Sequence, residues 1–215
     1  MIFHNRQHAG QLLAQKLLHY KSDKNLLVLG LPRGGIPVAF EIAKALETSL
    51  DALLVRKLGV PGEEELAMGA ITLNGIKVLN QEILQSLEIN EEKLQKVIDR
   101  EVKILKERNR LYRNNRPIPD VKNLTVILVD DGIATGATIK AAIKLLKTQK
   151  PKAIIVATPV ISQATYEDIK SQVDVLICLE VPQVFYGVGE WYLDFHQTSD
   201  KEVIDLLKSS PQKLC

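Results

Sequence analysis

No stretch of this chain limits its fold more than Val126-Ile127-Leu128-Val129-Asp130-Asp131-Gly132-Ile133-Ala134-Thr135-Gly136-Ala137-Thr138. An apolar run rich in β-branched residues ends in two adjacent carboxylates, then a small loop of Gly, Ala and Thr, then a helical pattern over Ile139 to Lys147. This order predicts a buried strand that delivers two acids to a loop of free backbone amides at a helix N-terminus. Such a loop suits a phosphate, because unpaired N–H groups and the positive end of the helix dipole both face it. The acids one turn away suit sugar hydroxyls or a metal-bound ligand. Together they point to a sugar phosphate.

Elsewhere strands and helices alternate. Leu12, Leu13, Leu17 and Leu18 share a helical face within Gln7 to Tyr20. A strand is expected over Leu26 to Gly30, a helix over Ile36 to Leu46 begun near Pro37, and a second strand over Asp51 to Val55. Asn74-Gly75 between Ala70–Leu73 and Lys77–Leu79 predicts a hairpin with a type I′ turn. Asn90 caps a long helix from Glu91 to about Tyr112, with Leu94, Val97, Ile98, Val102, Leu105 and Leu111 as its apolar stripe, and Pro117 and Pro119 beyond its end. Ala153 to Thr158 and Val175 to Leu179 read as strands around a helix from Ser162 to Ser171, and Ser199-Asp200-Lys201-Glu202 opens a last helix through Leu207. Buried strands separated by helices predict an α/β fold, a parallel sheet with helices on both faces. Ligands of such sheets sit beyond the C-terminal strand ends. Residues that follow strands are therefore the candidates for function.

The thirteen-residue stretch resembles the phosphoribosyl-pyrophosphate (PRPP) signature of the type I phosphoribosyltransferases: four apolar residues, two acids and a Thr/Gly-rich loop. With Pro32-Arg33-Gly34-Gly35 and the aromatic tail, the chain is also similar over nearly its whole length to a bacterial group of predicted phosphoribosyltransferases of unassigned substrate. The resemblance implies a Rossmann-like phosphoribosyltransferase core with a small hairpin or flexible loop, all in one domain over 1–215, the core about 1–180 and a C-terminal hood about 181–215. It implies that Asp130 and Asp131 hold the ribose hydroxyls and that Ala134, Thr135, Gly136, Ala137 and Thr138 bind the 5′-phosphate. Mg²⁺ would be held mainly by PRPP, with Asp130 and Asp131 reaching it through water.

Two more loops carry candidate residues. After the first strand come Arg33, Gly34 and Gly35, where glycines admit a close approach and an arginine fork can engage phosphate oxygens. In the resembling family this is the pyrophosphate loop, and it often holds a non-proline cis peptide, here expected at Arg33–Gly34. After the second strand come Arg56 and Lys57, cations suited to the leaving pyrophosphate, with Lys57 placed among the catalytic residues. Gly59 to Glu65 then corresponds to the family's flexible loop, whose closure would exclude water. The tail from Pro182 to Phe195 concentrates the only Trp, two of five Tyr and two of four Phe. Similar enzymes stack an aromatic ring on the base from such a hood, and Phe185 and Tyr186, with Trp191 behind them, are the candidates.

The implied reaction is displacement at ribose C1 of Mg-bound PRPP by a nitrogenous acceptor, a nucleobase above all, with release of pyrophosphate. Ala134 stands where enzymes for 6-oxopurines usually carry an Asp, and Thr158-Pro159-Val160 where a base-reading Lys would follow its strand. Adenine, a pyrimidine or another nucleophile stay open. A non-catalytic PRPP or nucleotide regulator, or an enzyme that moves phosphate without a base, are the other readings. The formal charge of +2 from 28 basic and 26 acidic side chains argues against a nucleic-acid partner. Cys178 and Cys215 make neither a disulfide framework nor a zinc pattern, and the start lacks a signal-peptide core, so a cytoplasmic protein away from membranes, and a homodimer as in similar proteins, are expected. His4 and His8 share a helical face without a third ligand.

Overall fold

A computed structural model of the chain describes residues 1–211, apart from the side chain of Glu65; Cys215 lies outside the described residues. The run Leu26–Gly30 (β1) is buried at every position, and so is Thr125–Val129 (β6). Their side chains alternate between two cores. Leu26, Val28, Ile127 and Val129 face one, with Leu13, Leu17, Ile36, Ile42 and Leu105; Leu27, Leu29, Val126 and Leu128 face the other, with Ile139, Ile143 and Leu146. A strand of period two with apolar residues at every position needs cover on both faces. Helices Arg6–Leu17 (α1) and Gly35–Leu46 (α2) supply one cover, and Ala137–Thr148 (α5) with Gln163–Lys170 (α6) the other.

With Ser49–Ala52 (β2), Ala153–Val160 (β7) and Val175–Glu180 (β8), these strands form a five-stranded parallel sheet in the order β2-β1-β6-β7-β8. The chain leaves β1 toward one edge and leaves β6 toward the other. The C-terminal ends of β1 and β6 are therefore the switch point of the sheet, the place where loops diverge and ligands of such sheets bind.

The second predicted strand divides. β2 ends at Ala52, the Leu53 amide still donates to Gly30, and Val55–Val60 (β3) starts a separate antiparallel sheet with Glu63–Thr72 (β4) and Lys77–Leu79 (β5). Gly59 to Glu65, expected as a flexible loop, is thus the tip of a β3–β4 hairpin. The β4–β5 hairpin exists, but only Gly75 of the Asn-Gly pair has positive φ, and its N–H donates to the Thr72 carbonyl. The turn begins one residue earlier than a type I′ turn requires.

Asn90 caps Glu91–Arg113 (α4) by accepting from the Lys93 amide, and Ser199 caps Asp200–Ser209 (α7) by accepting from Glu202. Leu111 is exposed, whereas Tyr112 is buried and donates to Asp200 at 2.5 Å. From Leu105 the inward face of a 3.6-residue helix continues through Asn109 to Tyr112, and α7 packs there. Burial, then the Asp200 contact, raises the Tyr112 phenol to about 12. A short helix, Gln81–Ser86 (α3), was not expected.

Candidate active site

The site grows from the register of β1 on β6. Gly30 pairs with Val129, so Leu31 and Asp130 leave the sheet side by side. The Leu31 amide donates back to Val129, and the chain then turns through Pro32, Arg33 and Gly34 into α2. This turn holds a non-proline cis peptide at Pro32–Arg33, one bond before Arg33–Gly34. Both glycines lie directly on the acids. A Cβ on Gly34 would overlap the Asp131 carboxylate, and one on Gly35 would stand 2.7 Å from the Val129 carbonyl and 3.0 Å from the Asp130 Cα. Glycine is required here for close approach, since neither residue has positive φ. The Arg33–Gly35 loop and the Asp130–Asp131 pair thus form one surface.

Beyond the acids, Ile133 bridges to Ile161, and the Ala134 carbonyl accepts from Ser162 Oγ at 2.9 Å and Thr165 Oγ1 at 2.6 Å. Gly136, at φ 72°, turns the chain into α5, and Ala134, Thr135 and Thr138 are exposed while Ala137 is half-buried. The first-turn amides of α5 have no carbonyl to meet within the helix, and the loop is held from behind by the start of α6. The predicted phosphate loop is therefore a fixed, outward-facing N-terminus next to the acids.

The carboxylates differ in their partners. Asp130 Oδ1 accepts the Asp131 amide at 3.0 Å; burial and the neighbouring Asp131 charge push its pKa well above the ordinary carboxylate range. Burial also raises Asp131, but the Arg6 guanidinium opposes this, with Nε 2.7 Å from Oδ2. Arg6 is the residue that sequence reasoning missed. It stands at the first position of α1, capped by Asn5, and no acid lies in that first turn. A cation at the positive end of a helix dipole is unfavourable without another partner, and this was the available signal.

Of the predicted pyrophosphate cations, Arg33 lies at the loop with Nη1 3.7 Å from Asp200 Oδ1. Arg56 is drawn elsewhere: its Nε sits 2.6 Å from Glu101 of α4, which also pairs with Arg100. Lys57, next along β3, pairs in register with Ala70 and so shares the face of Val55 and Ala70, which pack in the α5 core. The two neighbours thus face opposite sides of the small sheet because they lie inside a strand, not after one.

The hood also divides. Phe185 is half-buried and Tyr186 is 82% exposed. Trp191 packs with Phe3, Ala9 and Tyr192, and its buried Nε1 has no hydrogen-bond partner among the described residues. Of the tail aromatics, Tyr192 reaches the acid pair, its hydroxyl donating to the Asp131 carbonyl at 2.5 Å, and Phe195 lies with its ring centroid 4.0 Å from the Arg6 guanidinium. Val188 covers Gly132. Between the pieces, Phe3 bridges to Tyr192, and the Phe3 and His4 carbonyls accept from Leu193 and Asp194. His4 and His8 touch each other through the His4 amide and His8 Nδ1. No group of three or more potential metal-binding side chains occurs among the described residues, and no helix there is long and apolar enough to cross a membrane.

Known proteins share this architecture. The crystal structure of TT1426 from Thermus thermophilus superimposes with a TM-score of 0.86 at 40% identity, covering 96% of this chain and 98% of that one. The AQ2163 protein from Aquifex aeolicus shares the fold at a TM-score of 0.52 and 11% identity, over 95% of this chain and 86% of that one. A Mycobacterium tuberculosis protein named "Putative phosphoribosyl transferase" is 40% identical over 206 residues, 96% of this chain, which spans 46% of that relative's length. The model of the phosphoribosyl transferase domain family matches residues 1–196, a span that holds both glycine loops, the paired acids and the tail that covers them, and the chain belongs to that family.

Proposed function

We propose that this protein transfers the 5-phosphoribosyl group of PRPP to a nitrogenous acceptor, a nucleobase above all, and releases pyrophosphate. The observation that carries this reading is the seating of Gly34 and Gly35 on Asp131 and Asp130. With the helix N-terminus that follows the acids, it supports a reading in which a cationic glycine loop, two acids and that N-terminus take the pyrophosphate, the ribose and the 5′-phosphate in turn. The α5 amides from Gly136 onward and the Thr135 and Thr138 hydroxyls take the 5′-phosphate. Asp130 and Asp131 accept from the ribose hydroxyls and offset positive charge that develops at C1 as the bond to pyrophosphate breaks. The Arg33–Gly35 loop takes the pyrophosphate, with Lys57 from the small sheet. Arg56 serves here as a brace between β3 and α4.

Two carboxylates are too few for a protein-built magnesium cage but suit an ion bound chiefly through phosphate oxygens. Asp130 and Asp131 would hold it, and when bound it neutralises the departing pyrophosphate. The hood places the acceptor, with Phe185 and Tyr186 as stacking groups. A cytoplasmic setting is part of the same proposal.

The test is Asp130→Asn with Asp131→Asn, assayed by calorimetry with PRPP and Mg²⁺ and by pyrophosphate release across a panel of purine and pyrimidine bases. Wild-type protein should release pyrophosphate with one base class, and the double variant should stay folded and release none. Undiminished release in that variant would remove the assignment. Binding of PRPP without release from any acceptor would favour a regulator.

A further inference from the structure

Arg6 is 8% exposed, yet it begins a helix whose first turn holds no acid. An arginine in the first turn of a surface helix ordinarily reaches into water, since the helix dipole disfavours it and solvent does not. Here the guanidinium points inward and is used on both edges. Nε donates to Asp131 Oδ2 and Nη1 donates to the His196 carbonyl, each at 2.7 Å. Its flat face lies against Phe195, with the Tyr192 ring at 6.0 Å. Tyr192 in turn holds the carbonyl of the same Asp131. Gly34 lies against the same carboxylate, nearest to Oδ2.

We propose that Arg6 is a positioning residue for the transfer, a claim that rests on the reading above: with one guanidinium it aims the Asp131 carboxylate at the sugar site and fastens the hood, at His196, to that same acid. Asp131 is confined by three segments far apart in sequence: α1, the loop after β1 and the tail. Arg6 reaches both its carboxylate and the tail backbone. Asp131 Oδ2 is taken by Arg6, so its orientation toward ribose is set before ligand arrives. The tail that places the acceptor is registered on that carboxylate rather than on the solvent-exposed surface. The planar fork matters, because two N–H groups must meet two acceptors in fixed directions, and a lysine ammonium offers a point charge instead.

The experiment compares wild type, Arg6→Ala and Arg6→Lys by amide hydrogen exchange and by calorimetry with PRPP and Mg²⁺. Leu193 and Asp194 are the reporters, because their amides donate to Phe3 and His4 across the tail contact. In Arg6→Ala these two amides should exchange about tenfold faster while those of β1 and β6 keep their protection, and PRPP should bind about tenfold more weakly. Arg6→Lys should regain part of the PRPP affinity but not the protection of Leu193 and Asp194, a split that a general stability effect would not produce. Wild-type exchange at these amides, or wild-type PRPP affinity, in Arg6→Ala would overturn the proposal. Where alanine also loosens β1 and β6, Arg6→Gln, which keeps part of the stem and an N–H donor pair, makes the same comparison. Should the wild-type protein take up no PRPP, the transfer reading falls, and the exchange result still decides whether Arg6 fastens the tail: faster exchange upholds that, unchanged exchange overturns it.

Discussion

The two walls that meet at the paired acids are built from different material. Where β1 meets β6 the wall is backbone: Gly34 and Gly35 lie on Asp131 and Asp130, and the register Gly30 to Val129 sets the distance. Where the tail meets the same acids the wall is side chains: Val188 on Gly132, Tyr192 on the Asp131 carbonyl, Phe195 on Arg6. The first wall can hold only one geometry, because a sheet register and the lack of a Cβ leave nothing to adjust. The second can be rebuilt by changing side chains while the acids stay in place. Under the proposed function, the step common to any acceptor would fall to the first and the choice of acceptor to the second.

The largest effect should come from breaking the backbone wall. Gly34→Ala puts a methyl group into the Asp131 carboxylate, and the loop or the acid must move. Overpacking of this kind costs about 1–3 kcal/mol of stability, and a displacement of the reacting groups by about 1 Å lowers turnover on the order of 100-fold. Thermal unfolding and pyrophosphate release measure the two separately. A variant with wild-type release would mean that the two loops need not touch for function.

The same contrast explains what could be read from the chain. The backbone wall was legible because each part is local: β6 with its acids, Leu26 to Gly30 with the glycines after it, the Asn90 and Ser199 caps. Each is a short pattern whose physics is complete within a few residues. Arg56 and Lys57 lie inside a strand rather than after one, which the sequence hides because Asp51 to Val55 looks like one strand. In fact Leu53 and Leu54 carry the chain from one sheet to another, and hydropathy does not register which partner a strand finds. The side-chain wall was only partly legible. That the tail aromatics cluster is visible, but it is Tyr192 that meets Asp131 and Phe195 that meets Arg6, and this depends on Phe3 pairing with Tyr192 from the far end of the chain. Arg6 meets a carboxylate 125 residues away, and only its misfit with the helix dipole hinted at it.

A middle-sized effect should appear at the seam between the walls. Gly132→Ala drives a methyl group into the Val188 side chain. Since a half-buried valine on the tail can shift more easily than a strand end, the cost should fall at the lower part of the about 1–3 kcal/mol range for overpacking. Val188→Ala in the same chain should return most of it, since the crowded atoms are gone. Unfolding midpoints of the two single variants and the double variant give the coupling. Strict additivity would show that the tail does not rest on Gly132 in solution.

The smallest effect on the fold, and the sharpest on acceptor choice, should come from Tyr186→Ala. At 82% exposure the ring contributes little packing, so stability should change by less than about 0.5 kcal/mol. Stacking on a base is worth about 1–3 kcal/mol, and the loss should appear as a higher acceptor concentration for half-maximal pyrophosphate release, with PRPP affinity unchanged. That separation follows from the proposed function: the ring stands on the adjustable wall, and the fixed wall would hold PRPP. An unchanged acceptor requirement would pass the stacking role to half-buried Phe185, whose removal should then raise the requirement and also cost stability. A loss of PRPP affinity in Tyr186→Ala would erase the distinction between the walls, because it would place a side chain of the tail in the sugar phosphate site itself.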